Sequence, residues 1–322
     1  MGMEKYYFGI DIGGSFIKFG LFDSQGSLLE KWEIQTRLEE NGALILPDLV
    51  NGVKGKINER RLNTRAVGGI GIGVPGQVDE CGNVVLAENL GWRDVPLVQH
   101  VKEKTGLPVK AENDANLAAL GEYSMGSGKG CRSMMLVTLG TGVGCGIIVD
   151  GKILTGAHQA AGEIGHIHVD DRIQEPCSCG KYGCLEQLSS ARGIVGIARR
   201  ILQEDADAQQ AAGRNDAALS AKRIFEAAGK GEALGLQVTE EFGLYLGKAL
   251  AMCACVVDPE VIVLGGGVSK AGSVLLEPIQ KYYRQYAFLP CENTEFRLAR
   301  LGNDAGICGA ARLFFGQTCV LM

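Results

Sequence analysis

The sequence predicts an α/β protein with mixed sheets and two related halves, and three observations carry that reading. A strand-rich opening gives way to strand–helix alternation, the order expected of layered α/β architecture. Residues 6–22 and 133–149 repeat one grammar of strand, glycine turn and strand. The chain has 322 residues, which at about 150 residues per domain suggests two domains.

Taken in order, residues 6–10 (YYFGI) and 16–22 (FIKFGLF) are predicted strands joined by Asp11-Ile-Gly-Gly-Ser15, a glycine turn of hairpin length. A third apolar stretch follows at 28–34. A helix-like segment at 43–60 precedes a buried strand, Val67–Val74. Leu107–Ala111 ends as a strand, and Ala115–Tyr123 is helix-like. In the second half, Ser133–Leu139 and Cys145–Val149 flank the turn Gly140–Gly144. Ile194, Ile197, Ala198 and Ile201 recur at helical spacing. Residues 204–221 are polar and alanine-rich, a surface excursion or a frayed helix connection. A helix at 234–257 must stop at Asp258-Pro259, because the residue before proline avoids the helical region. The strand Val261–Leu264 and Gly265–Gly267 follow, and Asp304–Ala311 reads as a small-residue helix packed closely on a neighbour.

Composition removes several function classes. Thirty-two basic against 37 acidic residues leave a net charge of −5, the wrong sign for a nucleic-acid backbone as partner. Hydrophobic content of 46% and charged content of 21% suit a globular core. Glycine is the outlier, with 47 residues against 8 prolines and no Gly-X-Y period, so it serves turns and close backbone approaches. Eleven cysteines are about 3% of the chain, below the range of disulfide scaffolds. The opening MGMEKYYFGID has no apolar signal region. The longest uncharged run, Ser133–Val149, holds four glycines, Thr138 and Thr141, and reads as two strands about a turn rather than a membrane span. A cytoplasmic protein with reduced thiols is expected.

The chemistry concentrates in a few motifs. No G-x-x-x-x-G-K-[ST] occurs, and Gly126–Gly130 ends wrongly for one. Gly71-Ile-Gly-Val-Pro-Gly76 matches G-x-G-x-x-G, but Pro75 and the following QVDECGN provide no helix to hold a pyrophosphate. Three glycine turns remain: Gly13-Gly14, Gly140–Gly144 and Gly265–Gly267. Their successive N–H groups make either anion-binding concavities or plain hairpins. Asp11 beside the first turn suits Mg²⁺ held jointly with a phosphate, with Lys18 as an added charge or a solvated strand residue. In Glu112-Asn113-Asp114 a carboxylate either caps the following helix or acts as general base, the neighbouring amide fixing hydroxyls. Glu163-Ile-Gly-His166 followed by Cys177, Cys179 and Cys184 supplies a Cys₃His set, the ligation of a structural Zn²⁺. His168 competes with His166 as its fourth ligand.

The order of these motifs resembles the ROK family of sugar kinases and repressors. The resemblance is carried by Asp11–Ser15, Val74-Pro-Gly76, Glu112-Asn-Asp114, Leu139-Gly-Thr-Gly142, Glu163–His166, the cysteine segment ending at Glu186, Val263–Gly267 and Asp304-Ala-Gly306. It extends over nearly the whole chain and, with Asn89-Leu-Gly-Trp92, is nearest the glucokinases of that family. It implies an actin-like ATPase fold of two RNase H-like α/β domains with a central cleft. Residues 1–116 form the small domain, joined by a C-terminal helix at 303–322, and 117–302 the large one. It implies a kinase that transfers phosphate from ATP, with Mg²⁺, to the 6-hydroxyl of a hexose. Asp114 would be the base, and Gly76, Asn113, Asp114, Glu163, His166 and Glu186 the sugar contacts. Asp11, Gly13, Gly14, Ser15 and Lys18 would serve the first phosphate loop, Gly140, Thr141 and Gly142 the second, and Gly265 and Gly266 the adenosine motif. His166, Cys177, Cys179 and Cys184 would bind zinc. A homodimer or homotetramer is implied, with no nucleic acid and no membrane as partner. The departure from the pattern is Gly156-Ala-His158-Gln159-Ala-Ala-Gly162, which leaves N-acetylmannosamine and N-acetylglucosamine as alternative acceptors to glucose. A non-catalytic sugar sensor is the alternative of a different class, but the expected loss of Asp114 or of the phosphate glycines has not occurred.

Overall fold

The computed structural model describes residues 4–204 and 219–315. Most of the excursion expected at 204–221, and the end of the C-terminal segment beyond 315, lie outside the described residues. By their contacts the residues form two compact units, Met1–Gly130 with Gly146–Ala161 and Arg300–Met322, and Cys131–Cys145 with Gly162–Ala299. The sequence put the break after 116, whereas contacts keep 117–130 with the first unit. The reason is a helix–helix contact described below.

In the first unit β1 (Tyr6–Ile12) and β2 (Phe16–Phe22) form the expected hairpin, pairing from Tyr7↔Phe22 to Ile12↔Ile17. Phe8, Ile10 and Ile12 alternate inward on β1, and Ile17, Phe19 and Leu21 on β2. β3 (Leu28–Gln35) alternates half-buried and exposed residues, as suits the outer position in the sheet order β3-β2-β1-β4-β8. β4 (Val67–Val74) and β8 (Val109–Asn113) continue the sheet in parallel. Helix α1 (Ile45–Glu59) packs Leu49, Val50, Val53 and Ile57 into the core, and α2 (Leu97–Thr105) adds Leu97 and Val101. Between β4 and α2 lies a small sheet of β5 (Gln77–Val78), β6 (Val84–Ala87) and β7 (Trp92–Val95). These strands, of two to four residues each, are too short to leave a period in the sequence.

Two helices close on the sheet through glycine. These are α3 (Asp114–Met125) and the C-terminal helix, numbered α8 in chain order (Ala305–Arg312). A Cβ on Gly9 would lie 1.9 Å from the Ile307 carbonyl oxygen, and one on Gly71 1.8 Å from that of Ala310. One on Gly309 would lie 1.8 Å from the Leu117 carbonyl, and one on Gly121 2.2 Å from that of Ala305. No side-chain rearrangement relieves such overlaps, because the obstructing atoms are backbone. The contact is reinforced by the buried Glu122, whose carboxylate accepts the N–H groups of Ser127, Arg300 and Leu301 at 2.8, 2.9 and 2.7 Å.

The second sheet runs β11-β10-β9-β12-β13, from β9 (Met134–Leu139), β10 (Val143–Val149), β11 (Lys152–Ile153), β12 (Val261–Gly265) and β13 (Glu295–Leu298). Each sheet thus places its strands in the order third, second, first, fourth, fifth, the duplication that the repeated grammar predicts. Among the described residues the second unit's longer helices are α4 (Ala191–Glu204), α5 (Ala221–Gly229), α6 (Ala233–Val257) and α7 (Ser273–Tyr286), and a single helical turn, Glu186–Ser189, precedes them. Gly243 and Gly247 let α6 approach α7, since a Cβ there would fall 2.5 Å from Pro278 Cβ and 2.6 Å from the Ile279 carbonyl. α6 ends where Asp258 turns left-handed (φ 49°) before Pro259. Among the described residues no helix is long and apolar enough to cross a membrane. The ten cysteines among them are thiols.

In the second unit Asp170 accepts the Tyr245 hydroxyl at 2.5 Å and the Arg172 guanidinium at 2.8 and 3.0 Å. Arg172 beside it, helped by Tyr245 and opposed by burial, holds the Asp170 carboxyl well below the usual carboxylate range.

Two predictions follow from this packing. Gly71→Ala should destabilise by about 3 kcal/mol or more, because overpacking against rigid backbone cannot relax. Gly55→Ala, on an open face of α1 with nothing within 4 Å of the new methyl, should instead stabilise by about 0.5–1 kcal/mol. Urea unfolding of the two variants measures both. For Asp170, a depressed folded pKa contributes stability above the unfolded value of about 3.9 and loses it as pH falls through the folded value. Asp170→Asn should therefore cost about 1.5–3 kcal/mol at pH 7, the difference from wild type shrinking below about pH 4. Urea midpoints at pH 7 and pH 3 check the sign.

Candidate active site

In the first unit the β1–β2 turn is shaped by its own backbone. The Gly13 N–H donates to the Phe16 carbonyl at 2.9 Å, and Thr36 clamps the turn, its hydroxyl on the Gly13 carbonyl at 2.7 Å and its N–H on that of Ser15 at 2.9 Å. Gly14 and Ser15 are exposed. Asp11 stands opposite Lys18 in the hairpin register, with Nζ 3.9 Å from Oδ2. Burial pushes the Asp11 carboxyl up, and Lys18 only partly offsets it. The N-terminal turn of α8 reaches this carboxyl. A Cβ on Gly306 would lie 2.8 Å from Asp11 Cγ, so a side chain there would displace it.

Two strands across, at the same end of the sheet, β8 stops at Asn113 and α3 begins at Asp114. The residue that caps the helix is Asn113, whose Oδ1 accepts the N–H groups of Ala115 and Asn116 at 2.9 and 3.1 Å. The Asn113 amide also donates to the Gly76 carbonyl at 3.0 Å. Gly76 must be glycine, since a Cβ would lie 2.2 Å from the Leu86 carbonyl. Asp114 is half-buried on the first turn of α3, with Oδ1 accepting the Ala115 N–H at 2.8 Å. The fold thus places Gly76, Asn113 and Asp114 side by side.

Behind them lie Glu112, which the sequence offers only as part of the motif, and Asn116, which it does not single out. Glu112 is buried, and its Oε1 accepts the Asn113 N–H at 2.9 Å and the Asn116 amide at 3.0 Å. Burial pushes its carboxyl up, against those two hydrogen bonds. The signal for Asn116 was only its polarity on a helix face that is otherwise apolar.

In the second unit the β9–β10 turn closes with the Gly140 N–H on the Gly142 carbonyl at 3.0 Å. Glu186 braces this turn. Its Oε2 accepts the Val143 N–H at 3.0 Å, its Oε1 accepts the Ser178 hydroxyl at 3.3 Å, and a Cβ on Gly142 would fall 2.3 Å from Oε2. Glu163 and His166 bracket a 3₁₀ turn, their Oε2 and Nε2 3.9 Å apart, with Glu163 exposed. Gly266, at φ +83°, lies against the end of β9, where a Cβ would meet the Leu139 carbonyl at 2.4 Å.

His166, Cys177, Cys179 and Cys184 gather so that one ligand atom from each lies within 4.8 Å of every other. Cys177 Sγ is 3.7 Å from His166 Nδ1, and Cys179 Sγ is 3.7 Å from Cys184 Sγ. A zinc ion about 2.3 Å from sulfur and about 2.0–2.1 Å from nitrogen gives tetrahedral edges of about 3.5–3.8 Å, so these two edges have the size, and the donor set the chemistry, that zinc requires. His168 stands apart from the cluster, with Nδ1 on the Tyr182 carbonyl and Nε2 on Asp171, each at 2.8 Å.

Comparison with known proteins bears on the same motifs. The chain is 44% identical to a glucokinase of Halalkalibacterium halodurans over 96% of its own length and 95% of the relative's. It is 36% identical to a glucokinase of Streptomyces coelicolor, over 95% and 96%. A crystal structure of a ROK family glucokinase from Streptomyces griseus in complex with glucose and AMPPNP matches with a TM-score of 0.75 at 34% identity, covering 96% of this chain and 99% of that one. The fold is accordingly the actin-like ATPase fold of these sugar kinases. The ROK family profile aligns with residues 7–317, from the first strand past the last described helix. That span takes in both glycine turns, the capped Asp114 and the Cys₃His cluster, and the chain belongs to the ROK family.

Proposed function

We propose that this protein is an ATP-dependent hexose kinase, a glucokinase, that phosphorylates the 6-hydroxyl of glucose. The observation that supports it most directly is the Gly76–Asn113–Asp114 cluster in a chain so similar to glucokinases. Phosphoryl transfer asks a protein mainly for positioning and charge stabilisation. Asp114, held at the start of α3 by the Asn113 cap, orients the sugar's primary hydroxyl and accepts its proton as the bond to phosphorus forms. Asn113, Glu163, His166 and Glu186 hold the remaining hydroxyls. Glu186 does so while bracing the second phosphate turn, which ties sugar contact to the shape of Gly140–Gly142.

With the Gly13 and Gly140 N–H groups held inside their own turns, the backbone N–H groups of Gly14 and Ser15 and of Thr141 and Gly142 receive phosphate oxygens, and the Gly265–Gly266 turn, packed on the end of β9, serves the adenosine side. Asp11 is the residue suited to Mg²⁺, since a carboxyl raised by burial and only partly offset by Lys18 gains most from a cation. Mg²⁺ supplies neutralisation of the charge that develops on the transferred phosphoryl group. Zinc, held by His166, Cys177, Cys179 and Cys184, supplies structural cross-linking, and His166 and the Glu163 turn are positioned through it. A cytoplasmic homodimer or homotetramer is the proposed setting.

The experiment is ADP release with Mg-ATP across glucose, mannose, N-acetylglucosamine and N-acetylmannosamine at one concentration. Preference for glucose is expected. Preference for an N-acetylated sugar would keep the mechanism and change the acceptor, and sugar binding without release would make the protein a sensor. Asp114→Asn should keep sugar binding detectable while turnover falls about 10²–10⁴-fold, and near-normal turnover would remove Asp114 as base. Cys179→Ala should lower zinc content, raise KM for sugar and lower the melting temperature together. Full zinc content with unchanged KM would separate the cluster from the sugar site.

A further inference from the structure

The hydrogen bonds around Asn113 do not stop at Gly76. The next residue, Gln77, donates its side-chain amide to the His158 carbonyl at 2.7 Å, across 81 positions of sequence. His158 belongs to the departure segment 156–162, whose part in the first unit is a compact turn. The Gln159 N–H meets the Gly156 carbonyl at 3.3 Å and the Ala161 N–H the Thr155 carbonyl at 3.0 Å. A continuous strip therefore runs from Asn113 through Gly76 and Gln77 to His158. Two residues beyond Ala161 the chain reaches Glu163, no more than about 7 Å of extended backbone away. The turn is thus bounded by residues proposed for the acceptor, in space through Gly76 and Gln77 and in sequence by Glu163.

Two features of the turn have little stabilising value. Gln77 and His158 are exposed, and a hydrogen bond between exposed groups contributes little once side-chain entropy is counted. Gln159 is held at φ +55°, the left-handed region where glycine would be relaxed and a long side chain is strained. Gln159 thus sets a long side chain on strained backbone next to His158, and local strain of this kind clusters at ligand-binding positions.

We propose that residues 156–161, tied to the Gly76 turn by Gln77, form the wall that meets the acceptor sugar's ring substituents. Gln77 is a positioning residue, and His158 and Gln159 decide which hexose enters. The wall favours a hydroxyl at C2 and excludes the bulk of an acetamido group. This rests on the hexose-kinase reading.

The test measures binding of glucose and of N-acetylglucosamine by calorimetry, with turnover alongside, for wild type, Gln77→Ala and Gln159→Gly. Gln77→Ala should weaken glucose binding about 3–10-fold, the range of one lost hydrogen bond, with KM for ATP and kcat within about twofold. Gln159→Gly should narrow the preference for glucose over N-acetylglucosamine at least about fivefold while melting at the same or a higher temperature. Wild-type affinities for both sugars in both variants would overturn the proposal, as would a wild type that prefers N-acetylglucosamine. Glucose binding without turnover would overturn the kinase reading alone, and the binding comparison would still decide this one. A wild type that binds neither sugar overturns both.

Discussion

The first unit depends on one contact, the backbone-to-backbone approach of the C-terminal helix to β1, β4 and α3. Gly9, Gly71, Gly121 and Gly309 permit it, each at a place where a methyl group would fall about 2 Å from a carbonyl oxygen. The helix arrives from the far end of the chain and lies across the two central strands. Its first turn touches Asp11, and α3, on which it packs, begins at Asp114. The two carboxylates assigned to metal and to proton transfer are thus referenced to the same element. Glu122 strengthens the arrangement by binding the backbone that leads into the helix, so the end of α3 opposite to Asp114 is fixed as well.

The second unit solves a comparable problem with side chains and sulfur. The β9–β10 turn closes on its own Gly140–Gly142 bond, and Glu186 braces it from outside. Glu186 follows Cys184 by two residues, so its position is set by the same cluster that gathers His166. One segment therefore couples the β9–β10 turn, the residues proposed as sugar contacts and the Cys₃His set. Asp170, Arg172 and Tyr245 fasten the chain just after His168 onto α6 through charge-assisted hydrogen bonds. The groups that bear chemistry are here also the groups that bear structure, and substitutions among them change both.

Much of this was legible in advance. The first hairpin, the buried strand Val67–Val74 and the stop at Asp258-Pro259 follow from local physics: a glycine turn between strands, apolar runs and the conformational restriction before proline. Three cysteines within eight residues of one another announced a ligand set. What stayed illegible was partnership. Asn113, rather than a carboxylate, caps α3, and Glu112 and Asn116 form a buried polar pair behind it. His166 and His168 differ by two positions on one stretch of chain, and only the path of the loop decides that His166 meets the sulfurs while His168 turns to Asp171.

The sequence by itself determined the α/β class, the duplicated sheet grammar, the family and the residue types available for chemistry, because each is written in local periodicity or in motifs of fixed spacing. Only the tertiary structure decided which glycines serve helix packing and against which partners, that Glu186 braces a turn 43 residues earlier in the chain, and that Gln77 reaches His158. Those facts depend on distances between residues far apart in sequence. Such distances are set by how whole elements pack, and no local pattern encodes them.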